Sequence, residues 1–317
     1  GINLDRGSIV RPGHPPRADG PSVHDLYLEV AGPASTDVAH NFVQRWNQAS
    51  ERARPDGCWP DADAAGPLPF PSRLSPPAGD VPVQIARTIR ANIYTAGAVA
   101  PDAAPLPVAE GEASILEQYL AAIDGARQGI YVENQFLGSP VILQHLAAAV
   151  ARGVEVVFVL PGAPMDAVRD TRAQEGGRHS SSTPWRRWTS GRTSRSPRSP
   201  RATNGGAAHD VYVHAKMMLV DDAWATIGSA NILTRSFHAD TELNASFWHP
   251  DTVHALRTEL LAEHLGVDTA RLELSAALRL FAERARRNRA ARSARQPLAG
   301  LAWALDGSRY GLEQASG

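Results

Sequence analysis

Residues 129–160 constrain the fold more than any other part of this 317-residue chain. They contain two short apolar runs, at 129–133 and 154–160, separated by a stretch with helical spacing at 139–151. The second run is almost entirely apolar, which is typical of a strand that is covered on both faces of a sheet. Strand, helix and buried strand in this order predict a parallel β–α–β unit, and therefore an α/β fold.

Further strands and helices are predicted on both sides of this unit. Strands are expected at 25–30, 81–94 and 241–248, with one short strand on each side of a turn at 221–222, and helices at 34–51, 112–127 and 250–265. Residues 52–80 are rich in Pro, Gly, Asp and Ala and predict a long loop. From residue 268 onward we expect more amphipathic helix. Its Arg-rich face at 284–295 is either a solvated surface or a contact with an anionic membrane.

Residues 171–206 break this pattern. They are rich in Arg, Ser, Thr, Pro and Gly, and Trp185 and Trp188 are their only large apolar residues. A segment of this composition cannot bury enough apolar surface to fold by itself. Three explanations stay open: a flexible loop beside the active site, a basic arm that binds lipid or phosphate, or a stretch of a GC-rich gene translated in a shifted frame.

Charge and composition narrow the class of protein. The net charge is −1, so the chain has no overall basic field for nucleic acid, and we expect no nucleic-acid partner. Cys58 is the only cysteine, which excludes an intrachain disulfide and leaves the redox compartment open. No apolar run approaches the roughly 18 residues of a membrane span, and no signal segment is visible, so we expect a cytoplasmic or peripheral membrane protein.

Lys216 is the only lysine in the chain, and it follows His214 by two residues and precedes Asp221 by five. On a strand, alternation would put His214 and Lys216 on the same face. An ammonium beside an imidazole suits an anionic tetrahedral centre, because lysine supplies fixed charge and histidine supplies acid–base or nucleophilic chemistry near neutral pH. Ser229 and Asn231 follow a glycine turn and can donate hydrogen bonds to the same oxygens.

The pattern His-x-Lys-x4-Asp followed by Gly-Ser-x-Asn resembles the signature of the phospholipase D superfamily. Three further segments are similar to its lipid-cleaving branch: Ile-Tyr-Val-Glu-Asn-Gln-Phe at 130–136, Phe-Val-Gln-Arg-Trp-Asn at 42–47 after a Gly-Pro-Ala, and Glu-His-Leu-Gly at 263–266. The resemblance covers residues 1–266 apart from 171–206. It implies an α–β–α sandwich, with a mixed, largely parallel β-sheet flanked by helices.

Members of that family carry two such motifs, which face each other across a pseudo-two-fold axis. This chain shows one complete copy, but residues 1–4 resemble the end of the other, with Asn3 in the place of Asn231 and Gly1 in the place of Ser229. The resemblance therefore implies the C-terminal part of a longer two-motif protein. We expect 1–80 to be a remnant of the N-terminal half plus a loop. Residues 81–266 would then be the complete C-terminal catalytic half, and 267–317 a helical tail.

The resemblance also implies a two-step reaction. The histidine of one motif attacks phosphorus to form a phosphohistidine, and the other protonates the leaving alcohol and then activates water or an acceptor alcohol. His214 would be the general acid–base, because the nucleophile is usually assigned to the first motif. Lys216, Ser229 and Asn231, with Asn3 from the other half, would hold the phosphate oxygens.

Acidic residues complete the implied site. Asp25 would orient His214, and Glu242 would orient the histidine of the other motif. Asp221, the third letter of the motif, is included with the catalytic candidates, although anchoring a turn is the plainer role for it. Glu133 and Asn134 are expected near the substrate, or else are ordinary strand-end residues. The chemistry implies no cofactor and no metal ion, and no His/Cys metal cluster is evident in the sequence.

The function implied is a phospholipase D-type phosphodiesterase that acts on glycerophospholipids at a membrane surface. A missing N-terminal half, or a second copy of the chain, would complete the site, and the isolated chain is expected to be inactive. The alternatives are a phosphatidyltransferase of the cardiolipin-synthase kind, a single-motif nuclease, and a truncated half-protein without activity.

Overall fold

A computed structural model describes residues 14, 22–48, 66–94, 99–103, 108–162, 195–197 and 211–305. Gly1 and Asn3, to which the sequence assigned the end of a second motif, lie outside the described residues. So does all of the 171–206 segment except 195–197.

Short strands and six α-helices make up the described chain. The strands are β1 (Val23–His24), β2 (Val83–Ile89), β3 (Glu112–Ala113), β4 (Gly129–Glu133), β5 (Glu155–Val159), β6 (Arg195–Pro197), β7 (Tyr212–Val213), β8 (Met217–Val220), β9 (Trp224–Gly228), β10 (Glu242–Trp248) and β11 (Ala302–Ala304). The helices are α1 (Ala34–Gln48), α2 (Ser114–Gly125), α3 (Pro140–Ala151), α4 (Thr234–His238), α5 (Pro250–Leu265) and α6 (Leu274–Ser293). None of these helices is both long and apolar enough to cross a membrane.

Nine of the strands form one mixed sheet in the order β11-β6-β5-β4-β8-β9-β10-β2-β3, and β1 pairs with β7 beside it. The predicted β–α–β unit is confirmed, since β4 and β5 are parallel neighbours joined through α3. A mixed sheet flanked by helices is also confirmed. The expectation that the sheet is largely parallel was wrong, because within it only β4–β5 and β5–β6 are parallel pairs. The other described pairs are antiparallel, as short links such as the 221–222 turn require.

Helices cover both faces of the sheet, and β8 shows this directly. Met218 and Val220 belong to the core shared with α2 and α3, whereas Met217 and Leu219 belong to the core shared with α5 and α6. Helix α6 buries Leu278 and other apolar residues in the second core, and β11 is the edge strand of the sheet. The segment predicted as a C-terminal tail therefore packs as part of the same sheet and core.

The prediction of a strand at 25–30 was wrong, because these residues have no strand structure and the nearest strand ends at His24. That strand is the two-residue β1, parallel to β7, and the His24 carbonyl accepts hydrogen bonds from the backbone N–H groups of His214 (2.8 Å) and Ala215 (3.2 Å). The ladder stops there because the Asp25 carboxylate accepts from the Leu26 N–H at 2.9 Å, which takes the donor that a longer strand would use.

Candidate active site

His214 lies in the short connection between β7 and β8, and Asp25 holds its ring. Nδ1 of His214 is 2.8 Å from an Asp25 carboxylate oxygen, and the ring stacks on Tyr212 with centroids 6.3 Å apart. The Asp25 side chain is 3% exposed and that of His214 is 16% exposed. When Nδ1–H donates to Asp25, Nε2 is the ring nitrogen whose lone pair can take or give a proton.

Lys216 lies beside His214, but not on a strand as predicted. Residues 214–216 connect β7 to β8 and belong to neither strand. Lys216 is only 4% exposed, and its ammonium donates to the His214 carbonyl and, at 3.4 Å, to Gln135. Burial lowers the pKa of Lys216 to about 8, although the charges of Asp25 and Glu242 oppose this shift. The site therefore holds an ammonium that is charged at neutral pH and loses its proton in mild alkali.

Ser229 and Glu242 form a second polar group beside the lysine. The Ser229 hydroxyl donates to the Glu242 carboxylate at 2.5 Å and accepts from the Leu243 N–H at 3.0 Å. Burial raises the pKa of Glu242, and its hydrogen bond with Ser229 limits the rise. The role predicted for Glu242, toward a histidine of another motif, stays a prediction.

Asn231 carries a polar atom that the fold leaves without a partner. Its amide oxygen is buried and has no hydrogen bond within the described part of the chain. The two ends of a side-chain amide are assigned from their contacts, so the unpaired atom of the opposite rotamer would be the NH₂ donor. An unpaired buried amide costs free energy unless a ligand satisfies it, which fits the predicted role of Asn231 toward phosphate oxygens.

Asp221 does not belong to this site, and its place among the catalytic candidates was wrong. The four-residue strand β8 separates it from Lys216, which corresponds to roughly 16 Å along an extended chain. Its carboxylate accepts from the backbone N–H groups of Arg127, Gln128 and Gly129 at 2.8–2.9 Å. Asp221 therefore fixes the turn after β8 to the start of β4.

Replacing Asp221 by alanine should lower stability without affecting chemistry directly. Hydrogen bonds to a charged acceptor are worth more than neutral ones, so we expect the free energy of unfolding to fall by about 2–3 kcal/mol. Urea denaturation of the purified chain measures this. Asp251→Ala is the control, because this exposed carboxylate in the first turn of α5 contributes only about 0.3–1 kcal/mol. Equal losses of unfolding free energy in Asp221→Ala and Asp251→Ala would contradict the role of Asp221 in fixing the turn.

Glu133 was expected near the substrate, but it is fully buried. Its carboxylate accepts from Nε2 of His24 (2.5 Å), from Nε2 of His264 (2.8 Å) and from the Tyr131 hydroxyl. We refer to Glu133, His24, His264 and Tyr131 as the Glu133 cluster. Asn134 is buried as well, and its amide oxygen accepts from the N–H groups of Phe136 and Ile232 at 3.0 and 3.2 Å. Burial alone does not decide their distance from a substrate, since Lys216 is also buried, so the placement of Glu133 and Asn134 near the substrate stays a prediction.

The sequence assigned no function to His24 or His264. They lie 109 and 131 residues from Glu133, so no local spacing indicates the contact. The only signals were that His24 directly precedes Asp25 and that His264 lies in the Glu-His-Leu-Gly segment.

The side chains of the Glu133 cluster shift one another's pKa values. Burial alone would raise the pKa of Glu133, but the charges and hydrogen bonds of His24 and His264 outweigh it and bring that pKa well below its usual range. Burial lowers the pKa of His24, yet the Glu133 carboxylate outweighs this and the net direction is upward. The pKa of Tyr131 is raised far above its usual value by burial and by the same carboxylate.

Two groups of side chains have the chemistry of metal ligands: His24, Glu133 and His264, and His14, His24 and Glu263. A tetrahedral zinc ion with bonds of about 2.0–2.1 Å separates its ligand atoms by roughly 3.4 Å. In the first group the nitrogen–oxygen distances are 2.5 and 2.8 Å. In the second, Nε2 of His14 is 3.0 Å from His24 and 3.1 Å from Glu263. These are hydrogen-bond distances, so neither group is spread to the spacing of metal ligands.

Two protein families match this chain over overlapping ranges. The family described as "Phospholipase D" matches residues 15–157, and the family described as "Cardiolipin synthase, PLD-like domain" matches residues 119–263. Phospholipase D1 of Schizosaccharomyces pombe is 29% identical over 313 aligned residues, which cover 79% of this chain and 22% of that protein. Cardiolipin synthase 1 of Bacillus anthracis is 28% identical over 147 residues, which cover 46% of this chain and 25% of that protein.

Among solved structures, the phospholipase D family member Nuc from Salmonella typhimurium aligns with a TM-score of 0.35 and 18% identity. The alignment covers 57% of this chain and 91% of Nuc. The chain spans about a fifth of the length of the fission-yeast relative and a quarter of the Bacillus one. The first family match includes Asp25 and the second includes His214 and Lys216, the three residues that the fold brings together. On the two family matches, which together extend from residue 15 to residue 263, the chain belongs to the phospholipase D superfamily.

Proposed function

We propose that this chain carries the acid–base half of a phospholipase D-type phosphodiesterase that cleaves glycerophospholipid headgroups. The observation that carries the proposal is the contact between Asp25 and His214, at 2.8 Å, beside the buried Lys216 ammonium. A histidine oriented through Nδ1 can donate a proton from Nε2, and a nearby cation stabilises the charge on a pentacoordinate phosphorus.

Each residue then has a distinct task. His214 protonates the oxygen of the leaving alcohol and later removes a proton from water or from an acceptor alcohol. Lys216 and the Asn231 amide hold the non-bridging phosphate oxygens. Ser229 donates its hydroxyl proton to Glu242, so in this scheme it holds that carboxylate beside the lysine. No step of this scheme requires a metal ion or an organic cofactor.

The nucleophile comes from a second His-x-Lys motif in this proposal. Lys216 is the only lysine in the sequence, so such a motif is supplied from outside these 317 residues. The source is either a further part of the same protein or a second copy of this chain. We call the resulting assembly the two-motif enzyme, and we propose that the isolated chain is inactive unless it self-associates. Action on such a lipid would bring this part of the protein to a membrane surface.

Transfer to an alcohol is the second candidate, and one observation favours it. The match to the family described as cardiolipin synthase covers residues 119–263, which include His214, Lys216 and Asn231. Hydrolysis and transfer use the same intermediate and differ only in whether water or an alcohol accepts the phosphatidyl group. The geometry of the three residues serves either acceptor.

The test is product analysis with the two-motif enzyme and phosphatidylcholine vesicles. We expect free choline together with phosphatidic acid, and we expect phosphatidylglycerol in addition when glycerol is supplied. The ratio of the two lipid products assigns the reaction to hydrolysis or to transfer. If no choline is released in either condition, while plasmid DNA is degraded, the lipid proposal is wrong and the nuclease alternative replaces it.

A further inference from the structure

Glu133 is the point at which three separate parts of the chain meet. It is the last residue of β4, in the middle of the sheet, and it is completely buried. His24 comes from β1, near the start of the described chain, and His264 from the end of α5. Both imidazoles donate to the same carboxylate, at 2.5 and 2.8 Å. One side chain therefore holds two segments that the sequence places more than 100 residues away.

His24 is joined to the candidate active site through its own carbonyl and through the next residue. Its carbonyl accepts from the N–H groups of His214 and Ala215, at 2.8 and 3.2 Å. The next residue is Asp25, whose carboxylate contacts Nδ1 of His214. The position of His24 therefore sets two features together, the backbone at His214 and the orientation of the His214 ring.

The hydrogen bonds of β1 are too few to hold this segment by themselves. The strand has two residues and one neighbouring strand, and it ends at Asp25. The contact between His24 and Glu133 is a stronger restraint, because a buried carboxylate without a cation or donors is very costly. Loss of the His24 contact would leave one oxygen of this carboxylate without its donor, with only His264 and Tyr131 on the other oxygen, so the buried charge favours keeping His24 in place. His14 also touches His24, with Nε2 3.0 Å from Nδ1, and this limits rotation of the His24 ring.

We propose that Glu133 is a positioning residue of the active site: it holds His24, and through the adjoining backbone it keeps the Asp25 carboxylate within hydrogen-bond distance of His214. Glu133 touches no reacting atom in this scheme and acts only through its neighbours. The kinetic effects expected from this inference rest on the proposed function. The expected structural effect, on the contact between Asp25 and His214, does not.

The kinetic test is a double-mutant cycle in the two-motif enzyme with phosphatidylcholine vesicles. Asp25→Asn should lower kcat by about 100-fold and Glu133→Gln by about 10-fold, the range found when a residue that orients a reactive group is replaced. KM should change little, because neither residue binds the lipid. In the double variant, Glu133→Gln should add almost nothing to the loss from Asp25→Asn, since both changes act on His214 through one contact.

A merely structural role would give a different pattern. Glu133→Gln would then lower the melting temperature, and the loss of kcat in the double variant would be the product of the losses in Glu133→Gln and Asp25→Asn. Such a multiplicative loss would overturn the inference. Glu155→Gln is the matched control, because this residue is a largely buried glutamate on the neighbouring strand β5, paired with Arg279. It should leave kcat unchanged. His24→Gln keeps a side-chain amide that can donate to Glu133, so it should retain more activity than His24→Ala.

A second measurement does not depend on catalysis. In the 317-residue chain with ¹⁵N-labelled histidine, the ring nitrogens of His214 report which one carries the proton, and the His214→Gln variant assigns the signals. We expect the Nδ1–H form in the wild type and in Glu155→Gln, and a mixture of the two tautomers in Glu133→Gln. An unchanged spectrum in Glu133→Gln would overturn the inference. Absence of headgroup release by the wild type, with the tautomer shift still present, would overturn the proposed function alone.

Discussion

Replacing His214 by alanine should lower kcat for phosphatidylcholine by about 10⁴-fold, at the upper end of what general acid–base catalysis supplies. The loss has two parts in the proposed scheme. Without His214 the departing choline oxygen receives no proton, and the phosphohistidine is not hydrolysed because no base activates water. The fold should persist, since the His214 side chain is partly exposed and its structural hydrogen bond comes from the backbone.

The two parts of the loss can be separated with a better leaving group. A phosphatidyl ester of p-nitrophenol departs as a stable anion and needs no proton, so His214→Ala should release about one equivalent of p-nitrophenol rapidly and then stop. The trapped phosphatidyl-enzyme can be measured directly by mass spectrometry. The control is His145→Ala, since His145 lies on α3 and pairs with Asp124, away from the site. A steady wild-type rate in His214→Ala, or a first turnover that is slowed equally for the choline and p-nitrophenol esters, would contradict the acid–base assignment.

Replacing Lys216 by methionine should lower kcat by about 10³-fold, because methionine keeps the length of the side chain but removes the positive charge that faces the phosphate. The loss should be similar for choline and p-nitrophenol esters, since charge on the phosphate oxygens develops with either leaving group. This equality distinguishes the lysine from the histidine. Lys216→Arg restores a cation but with a planar, larger head group, so it should recover only part of the rate.

The same lysine predicts a pH dependence. Burial sets the pKa of Lys216 at about 8, so its stabilising charge is present below that pH and is lost as the pH rises through it. We expect kcat/KM of the wild type to fall about tenfold for each pH unit above 8. In Lys216→Arg the guanidinium stays charged throughout this range, so the alkaline fall should be absent. A rate that is constant to pH 10 in the wild type would show that the charge of Lys216 does not contribute.

The elements that the sequence predicted well carry their signals locally. Helix α5 begins at Pro250 and ends before Gly266, whose φ of +68° closes the helix, and both residues are visible as start and stop signals. The β4–α3–β5 unit was equally predictable from its hydrophobic spacing. The direction of the other strands could not be predicted, because it depends on which strands become neighbours. Nothing in the spacing of 217–220 or 242–248 determines which strands pair.

The site divides in the same way. The motif places His214, Lys216, Ser229 and Asn231 within 18 residues, so their grouping was predictable from the sequence. The contact between Asp25 and His214 joins positions 189 residues apart and followed only from resemblance. The Glu133 cluster was missed, because burial of a carboxylate among distant histidines leaves no periodic signal. Asp221 was misplaced because its position in the motif does not show that it lies at the far end of β8.

The hydrogen bonds at the His24 carbonyl also allow the attachment of residues 22–25 to be followed by amide exchange. The amide protons of His214 and Ala215 are protected by that one carbonyl, whereas those of the neighbouring strands β8 and β9 are protected by the sheet. The hydrogen–deuterium exchange rate of the two amides therefore measures how often residues 22–25 detach locally. The exchange rate of the β8 amides measures how often the whole sheet opens. If the His214 and Ala215 amides exchange while the β8 amides stay protected, the acid–base geometry opens transiently while the fold stays intact.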